Sequence, residues 1–392
     1  MSPFAPDGSA YPVASGRVRA AQRALPRRRL LRAVLGTATV FVAGCGPRRD
    51  GRRQPTPPGG MGSSVTPLLP QGTVRWSFES HGSNPVTPAA AHGRVYVGGA
   101  ALVALDSATG RVLWERPTDD IADCTPVVVD GTVFVTGGDL LAVDAATGAV
   151  RWRRPPAAEG GFHSATHANG LVCASVGPTT LRACDAATGA DRWQAALDGL
   201  PAAAPRFADG VFLVSCSGGI HAVDAATGAR RWTADTAGAV LTAPTAAQGR
   251  VFVGMGLARS DGALGVRAFD AASGRMLWHA ETGGYVGAAP IVEAGVLYAT
   301  AAGGTVFTLD PATGRERWRT ELPDAGDGLA VADGVVYVCG TWTLTALDAR
   351  TGSPLWSSRP GAFGLTTPCV ADGNAILCDD SGLVYAVTSP TL

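Results

Sequence analysis

The chain has 392 residues, 46% of them hydrophobic and 16% charged, a composition that can bury a core and excludes wholesale disorder. Its 32 basic and 32 acidic residues cancel only in sum: residues 1–53 hold eleven arginines against Asp7 and Asp50, a net +9, and the remainder carries −9. A globular part of that sign argues against nucleic-acid binding, because a phosphate backbone is met by a basic face.

The first element is an address. Arg27-Arg28-Arg29-Leu30-Leu31 and Arg32 introduce an apolar run from Ala33 to Gly44 that ends at Cys45. As a helix that run reaches about 18 Å, too short for a roughly 30 Å hydrocarbon core but the right length for the apolar part of an export signal. Val42-Ala43-Gly44-Cys45 resembles a bacterial lipobox, which implies cleavage before Cys45 and a lipid on its thiol, and the arginine pair resembles a twin-arginine (Tat) signal. Residues 1–44 are therefore read as a signal peptide. Residues 45–73, with Arg48, Arg49, Arg52 and Arg53 followed by Pro, Gly and Ser, are read as a lipidated, disordered spacer. Together they imply a protein anchored by lipid on the extracytoplasmic side of a membrane.

From residue 74 the chain repeats itself about every 40 residues. Each unit has a short apolar run, a two-residue turn, a β-branched run, a loop, an alternating run ending in Asp, a second turn and a run carrying Trp, which makes four short strands. The first turn has Gly93, Gly131, Gly170, Gly210, Gly249, Gly295, Gly334 and Gly373 as its second residue, mostly after Asp or Asn, the signature of a type I′ hairpin. The second turn is Asp-x-x-x-Gly, at Asp106/Gly110, Asp144/Gly148, Asp185/Gly189, Asp224/Gly228, Asp270/Gly274, Asp310/Gly314 and Asp348/Gly352. Four residues beyond each of these glycines stands Trp114, Trp152, Trp193, Trp232, Trp278, Trp318 or Trp356.

Trp76 precedes the first full unit, and the last unit, before residue 389, lacks a Trp strand. The two fragments complete each other. The expectation is an all-β, eight-bladed β-propeller of four-stranded antiparallel blades over residues 74–389, closed by a strand at about 74–80 that finishes the last blade and leaves no free edge along the ring.

The Asp-x-x-Thr-Gly-x-x-x-Trp repeat resembles the tryptophan-docking motif of pyrroloquinoline-quinone-like propellers, in which each Trp packs on the neighbouring blade. That family holds two classes. Quinoprotein dehydrogenases bind pyrroloquinoline quinone with Ca²⁺, use a catalytic aspartate, and often carry adjacent cysteines; here no two of the eight cysteines are adjacent and no pattern of Ca²⁺ oxygens is visible. BamB-type lipoproteins are exported, lipid-anchored propellers of nearly this length, and related propellers serve as extracytoplasmic sensor domains. The resemblance implies a non-catalytic, monomeric scaffold that binds an envelope protein without cofactor or metal. The alternative is a quinoprotein dehydrogenase with pyrroloquinoline quinone and Ca²⁺.

Antiparallel blades place the loops between second and third strands on the same face as the connections between blades. Phe162, Tyr285 and Phe363 fall in such connections and Trp342 in such a loop, so these four are candidate anchors for a partner; the competing reading is that they plug the central channel or pad short loops. Asp119, Asp120 and Asp123 crowd another connection, and the longest unit, from Trp232 to Trp278, carries its extra length near Arg259 and Asp261. His163 and His167 are the only close pair among His81, His92, His163, His167, His221 and His279, a weak metal signal. Of the cysteines after Cys45, namely Cys124, Cys173, Cys184, Cys216, Cys339, Cys369 and Cys378, the pair Cys173 and Cys184 on neighbouring strands is the best candidate for a disulfide, against a reading of buried free thiols.

Overall fold

The computed structural model describes residues 69–390 apart from 81–85, 118–123, 157–160, 237–239, 241, 257–263 and 362. Cys45, the signal, Asp119, Asp120, Asp123, His81, Arg259 and Asp261 lie outside the described residues.

Thirty-two strands, β1–β32 in chain order, form eight four-stranded antiparallel sheets. The first blade is β2 (Ala89–Ala91), β3 (Arg94–Val97), β4 (Ala101–Asp106) and β5 (Val112–Pro117), innermost strand first. The eighth is β30 (Cys369–Ala371), β31 (Asn374–Cys378), β32 (Leu383–Thr388) and, as its outermost strand, β1 (Thr73–Glu79). The ring therefore closes through pairing of the two ends, with Trp76 opposite Ala386 and Glu79 opposite Leu383. The core is divided in the same way. Its eight buried clusters each join two successive blades, and the cluster of Trp76, Val95, Leu105, Ile376 and Val384 joins the eighth to the first.

All eight inner hairpins turn with two left-handed residues, the second always glycine. Gln248 (φ 54°) and Ala294 (φ 47°) take the first place without an Asn or Asp side chain to ease it, so hairpin geometry overrides local preference there.

The outer turn is where blades are joined. In the third blade, Asp185 Oδ1 accepts from the Thr188 amide (3.0 Å) and hydroxyl (2.9 Å), and Gly189 N donates to the Asp185 carbonyl at 2.8 Å. Gly189 (φ 71°) leaves a platform on which the indole of Trp152, from the preceding blade, lies; a Cβ there would meet the ring at 2.8 Å. The indole N–H donates to Ala186 O at 3.0 Å.

The same dock recurs around the ring. Trp76 lies on Gly110, Trp114 on Gly148, Trp193 on Gly228, Trp232 on Gly274, Trp278 on Gly314 and Trp318 on Gly352, and each indole N–H donates to a carbonyl of the next blade. The glycine and the tryptophan of one repeat motif therefore serve two different docks, in keeping with packing of each Trp on the neighbouring blade. Gly110, Gly148, Gly274, Gly314 and Gly352 do end their own turns, each amide donating to its turn aspartate's carbonyl at 2.8 Å, but the tryptophan that each one carries belongs to the preceding blade and is not the one four residues on. The reason is that the Trp four residues on has already crossed into its own outermost strand, from which it reaches the following turn.

A β-bulge aims each tryptophan. Every outermost strand slips register by one residue just before its Trp, so Trp114, for example, faces Ala104 while Val112 faces Leu105. The bulged residue is arginine at 75, 151, 192, 231 and 317, and the last four reach back to the turn aspartate of their own blade, at 2.7, 2.6, 2.5 and 2.9 Å. The arginine first and the Thr hydroxyl second hold Asp144, Asp185 and Asp224 at a pKa of about 2.

Trp356 meets something different because the chain ends occupy its place in the repeat. Its ring packs on Gly72, where a Cβ would come within 2.6 Å. Around it Gly72 N donates to Ser357 O (2.9 Å), Ser357 N to Pro70 O (3.1 Å) and Ser358 Oγ to Gly72 O (3.2 Å). This corrects the expected boundary: the last residues of the anticipated 45–73 spacer, from Pro70, are bonded to β29 (Pro354–Ser358) rather than disordered, because the seam needs a substitute for the missing turn.

Candidate functional site

Strand alternation puts the inner hairpins and outer tryptophan turns on one face of the ring. The other face carries the remaining loops. There Trp342 sits between β27 (Val335–Gly340) and β28 (Leu344–Asp348), in a loop fixed by Asp324: the Trp342 amide and Thr343 hydroxyl donate to Asp324 Oδ2 at 3.0 and 2.7 Å, and Thr341 N donates to its carbonyl at 3.1 Å. Phe363, in the connection to the eighth blade, is held by its neighbours in sequence and space: Gly364 N donates to Thr341 O (2.9 Å) and Asp380 N to Phe363 O (3.1 Å). The two rings meet edge to face, 5.3 Å between centroids at 71°, and stay 49% and 52% exposed. Rigid backbone under exposed aromatic area is the arrangement of an interface anchor.

Tyr285 is exposed in the connection between β21 (Met276–Glu281) and β22 (Ile291–Glu293), its carbonyl accepting from Ala302 N at 2.8 Å, two connections away from Phe363 along the ring. Leu200, 60% exposed in the connection from the third to the fourth blade, was missed because nothing in LDGLP marks it. Phe162 is a correction. It is 2% exposed, inside the cluster of Phe134, Leu140 and Ala142, with the Arg182 guanidinium 5.8 Å from its ring centroid. The cause is local: β10 (Phe162–Ala168) has seven residues where most inner strands have three, so Phe162 pairs with Val176 instead of ending a loop.

At the centre lies a cavity of about 1000 Å³ to which every blade contributes its inner strand or the residues leading into it. Its described lining is aliphatic or hydroxylated, Cys369 apart, with Arg206 its one charged residue and no carboxylate. Pyrroloquinoline quinone with Ca²⁺ needs several converging oxygen ligands and a carboxylate base, so this donor set does not fit that group. Among the described residues no three His, Cys, Asp or Glu converge as metal ligands. His167 stacks on Phe134 (5.8 Å, 8°), and burial lowers its pKa.

Cys173 and Cys184 are free. Register explains it: Val172, not Cys173, faces Cys184, so the two thiols point to opposite sides of the sheet and enter different interblade clusters. Burial pushes Cys184 and Cys216 up to about 11 and Cys369 and Cys378 to about 12, which leaves essentially no thiolate at neutral pH.

A family model described as outer membrane protein assembly factor BamB matches residues 62–169, 120–206, 177–327 and 302–391. The chain belongs to the BamB family. BamB of Alkalilimnicola ehrlichii is 34% identical over 90 residues, 22% of this chain and 23% of that protein. The serine/threonine-protein kinase AfsK of Streptomyces coelicolor is 45% identical over 58 residues, 15% of this chain and 7% of the kinase. The matches thus span less than a quarter of these relatives' lengths. Among solved structures, BamB from Moraxella catarrhalis superposes with a TM-score of 0.67 at 19% identity, over 81% of this chain and 99% of that one. A quinohemoprotein alcohol dehydrogenase from Pseudomonas putida HK5 gives 0.62 at 16% identity, over 82% and 76%. At such identities the structures share the fold.

Proposed function

We propose that this BamB-family propeller is an exported, lipid-anchored and non-catalytic scaffold that holds an envelope protein on the face bearing Trp342 and Phe363. The observation that carries the reading is the half-exposed aromatic pair, fixed by backbone bonds from two blades and serving no core. Family membership and the sequence signal ending at Cys45 support the envelope setting.

The test is cross-linking in intact cells with mass spectrometry of the captured partners. The double variant Trp342→Ala, Phe363→Ala removes two anchors at about 2 kcal/mol each, so capture falls at least tenfold while the melting temperature stays within 2 °C or so of the parent. Equal capture by the double variant refutes the rim assignment. A lipid mass on Cys45 in the membrane fraction is expected, and an unmodified soluble protein refutes anchoring.

The fold shared with a quinohemoprotein favours a second reading, a quinoprotein dehydrogenase. It requires that pyrroloquinoline quinone supplied with Ca²⁺ stay bound through gel filtration and support dye-linked alcohol oxidation; the lack of a carboxylate among the described lining residues favours the opposite result.

A further inference from the structure

The groups facing the central cavity are chemically one-sided. Thr87, Thr125, Ser164, Thr166, Thr242 and Thr367 supply hydroxyls, and the rest, Arg206 and Cys369 apart, are aliphatic, proline or glycine. Arg206 opens β14 (Arg206–Ala208) and pairs with Leu213, the register position that Ala89, Val127 and Thr245 hold in other blades. The charge is thus a property of one blade and not of the repeat.

Its side chain stands open to the channel, and its guanidinium has no hydrogen-bond or ion-pair partner among the described residues. The surrounding blades still desolvate it enough to push its pKa down, with no carboxylate among the described lining residues to offset the cost. The contrast within the molecule is sharp. Arg151, Arg182, Arg192, Arg231 and Arg317 each hold an aspartate.

We propose that the channel binds a small hydroxylated carboxylate, its carboxylate on the Arg206 guanidinium and its hydroxyls on the threonine and serine side chains of the inner strands. A guanidinium presents a planar fork that matches a carboxylate with two parallel bonds, and the volume lies at the upper end of the range of small-molecule sites. A single cation balances a single negative charge, which favours a carboxylate over a phosphate dianion. Neutral hydroxyl groups are the partners that threonines satisfy without a second charge. The site is independent of the aromatic rim and of what binds there.

Calorimetric titration of the full chain with gluconate, with its uncharged analogue gluconamide, with inorganic phosphate and with the capped tripeptide acetyl-Ala-Asp-Ala-amide tests the assignment. Gluconate is expected to bind at least tenfold more tightly than gluconamide or phosphate. Arg206→Gln abolishes that preference, Arg206→Lys weakens it, and Arg315→Gln, on an outer turn, leaves it intact. Because Arg206 makes no polar side-chain bond to the described protein, Arg206→Gln should melt with the parent, which separates loss of the site from loss of the fold. Absence of heat with gluconate, equal binding of gluconamide, tighter binding of phosphate, or unaltered binding by Arg206→Gln each overturns the proposal. Binding of the tripeptide but not gluconate also overturns it, and makes a partner's acidic side chain the source of the carboxylate.

Discussion

Replacing Trp193 by alanine tests whether the outer tryptophans bind the ring together. Trp193 is 9% exposed, lies on Gly228, donates to Ala225 O at 2.8 Å and packs on Phe212 at 5.9 Å between centroids. A buried indole removes roughly 200 Å² from water, about 5 kcal/mol at 25 cal/mol per Å². The compactness of the unfolded chain trims that by about 10–40%, and loss of the hydrogen bond adds back about 1 kcal/mol, so the expected cost is about 4–5 kcal/mol, within the range found for buried aromatics. The assay is urea unfolding followed by circular dichroism and by fluorescence of the remaining tryptophans. If the ring unfolds as a unit, the midpoint falls and both probes still coincide. A cost below about 1 kcal/mol refutes the interblade role. Gly228→Ala attacks the same contact from the other side, since its Cβ would stand 2.8 Å from the indole at a residue with φ 73°, and it should destabilise by a comparable amount.

Two further outcomes follow from the turns and the seam. Asp144, Asp185, Asp191 and Asp224 titrate at about 2 in the folded protein, below the unfolded value of about 3.9, so their stabilisation is complete above about pH 4 and is lost as pH falls toward 2. Melting temperature should therefore hold steady from about pH 7 to about 5 and drop steeply below about 4, with Asp144→Asn flattening part of the drop; a constant value down to about pH 3 refutes this. Gly72→Leu forces a side chain into the Trp356 ring and should cost about 1–3 kcal/mol and speed hydrogen exchange in β1 and β29, whereas unchanged exchange would show that the Pro70–Gly72 clasp is dispensable.

Much of this molecule is legible in its sequence because the repeat writes the same geometry many times. The spacing of Asp, Gly and Trp fixes strand number, turn type and blade count, and the unmatched Trp76 announces how the ring closes. What the repeat does not encode is direction. Gly148 and Trp152 stand four residues apart, yet Gly148 carries Trp114 and Trp152 rests on Gly189. Phe162, Tyr285 and Phe363 occupy similar places in the blade connections, but a longer inner strand draws the first into the core while the others stay outside. Cys173 and Cys184 are neighbours in sequence terms, and a one-residue difference in register turns them to opposite faces. The arginine before Trp152, Trp193, Trp232 and Trp318 was visible as a dipeptide; its role depends on a bulge that periodicity alone does not reveal. Arg206 carried no signal, since only the closed ring brings the eight blades together around it.

The seam has a consequence for biosynthesis. β1 is among the earliest described segments to leave the ribosome and β32 among the last, yet neither has its partner until both exist. Until residue 388 has been made, the blades form an open arc, with Trp76 on a strand that has no sheet and the eighth blade lacking its rim. A chain arrested or clipped a few residues short is thus left with exposed edges at one joint, where quality-control proteases act. Ring closure acts as a check that synthesis has reached β32, because only a chain that carries both strands can pair the edge of β1.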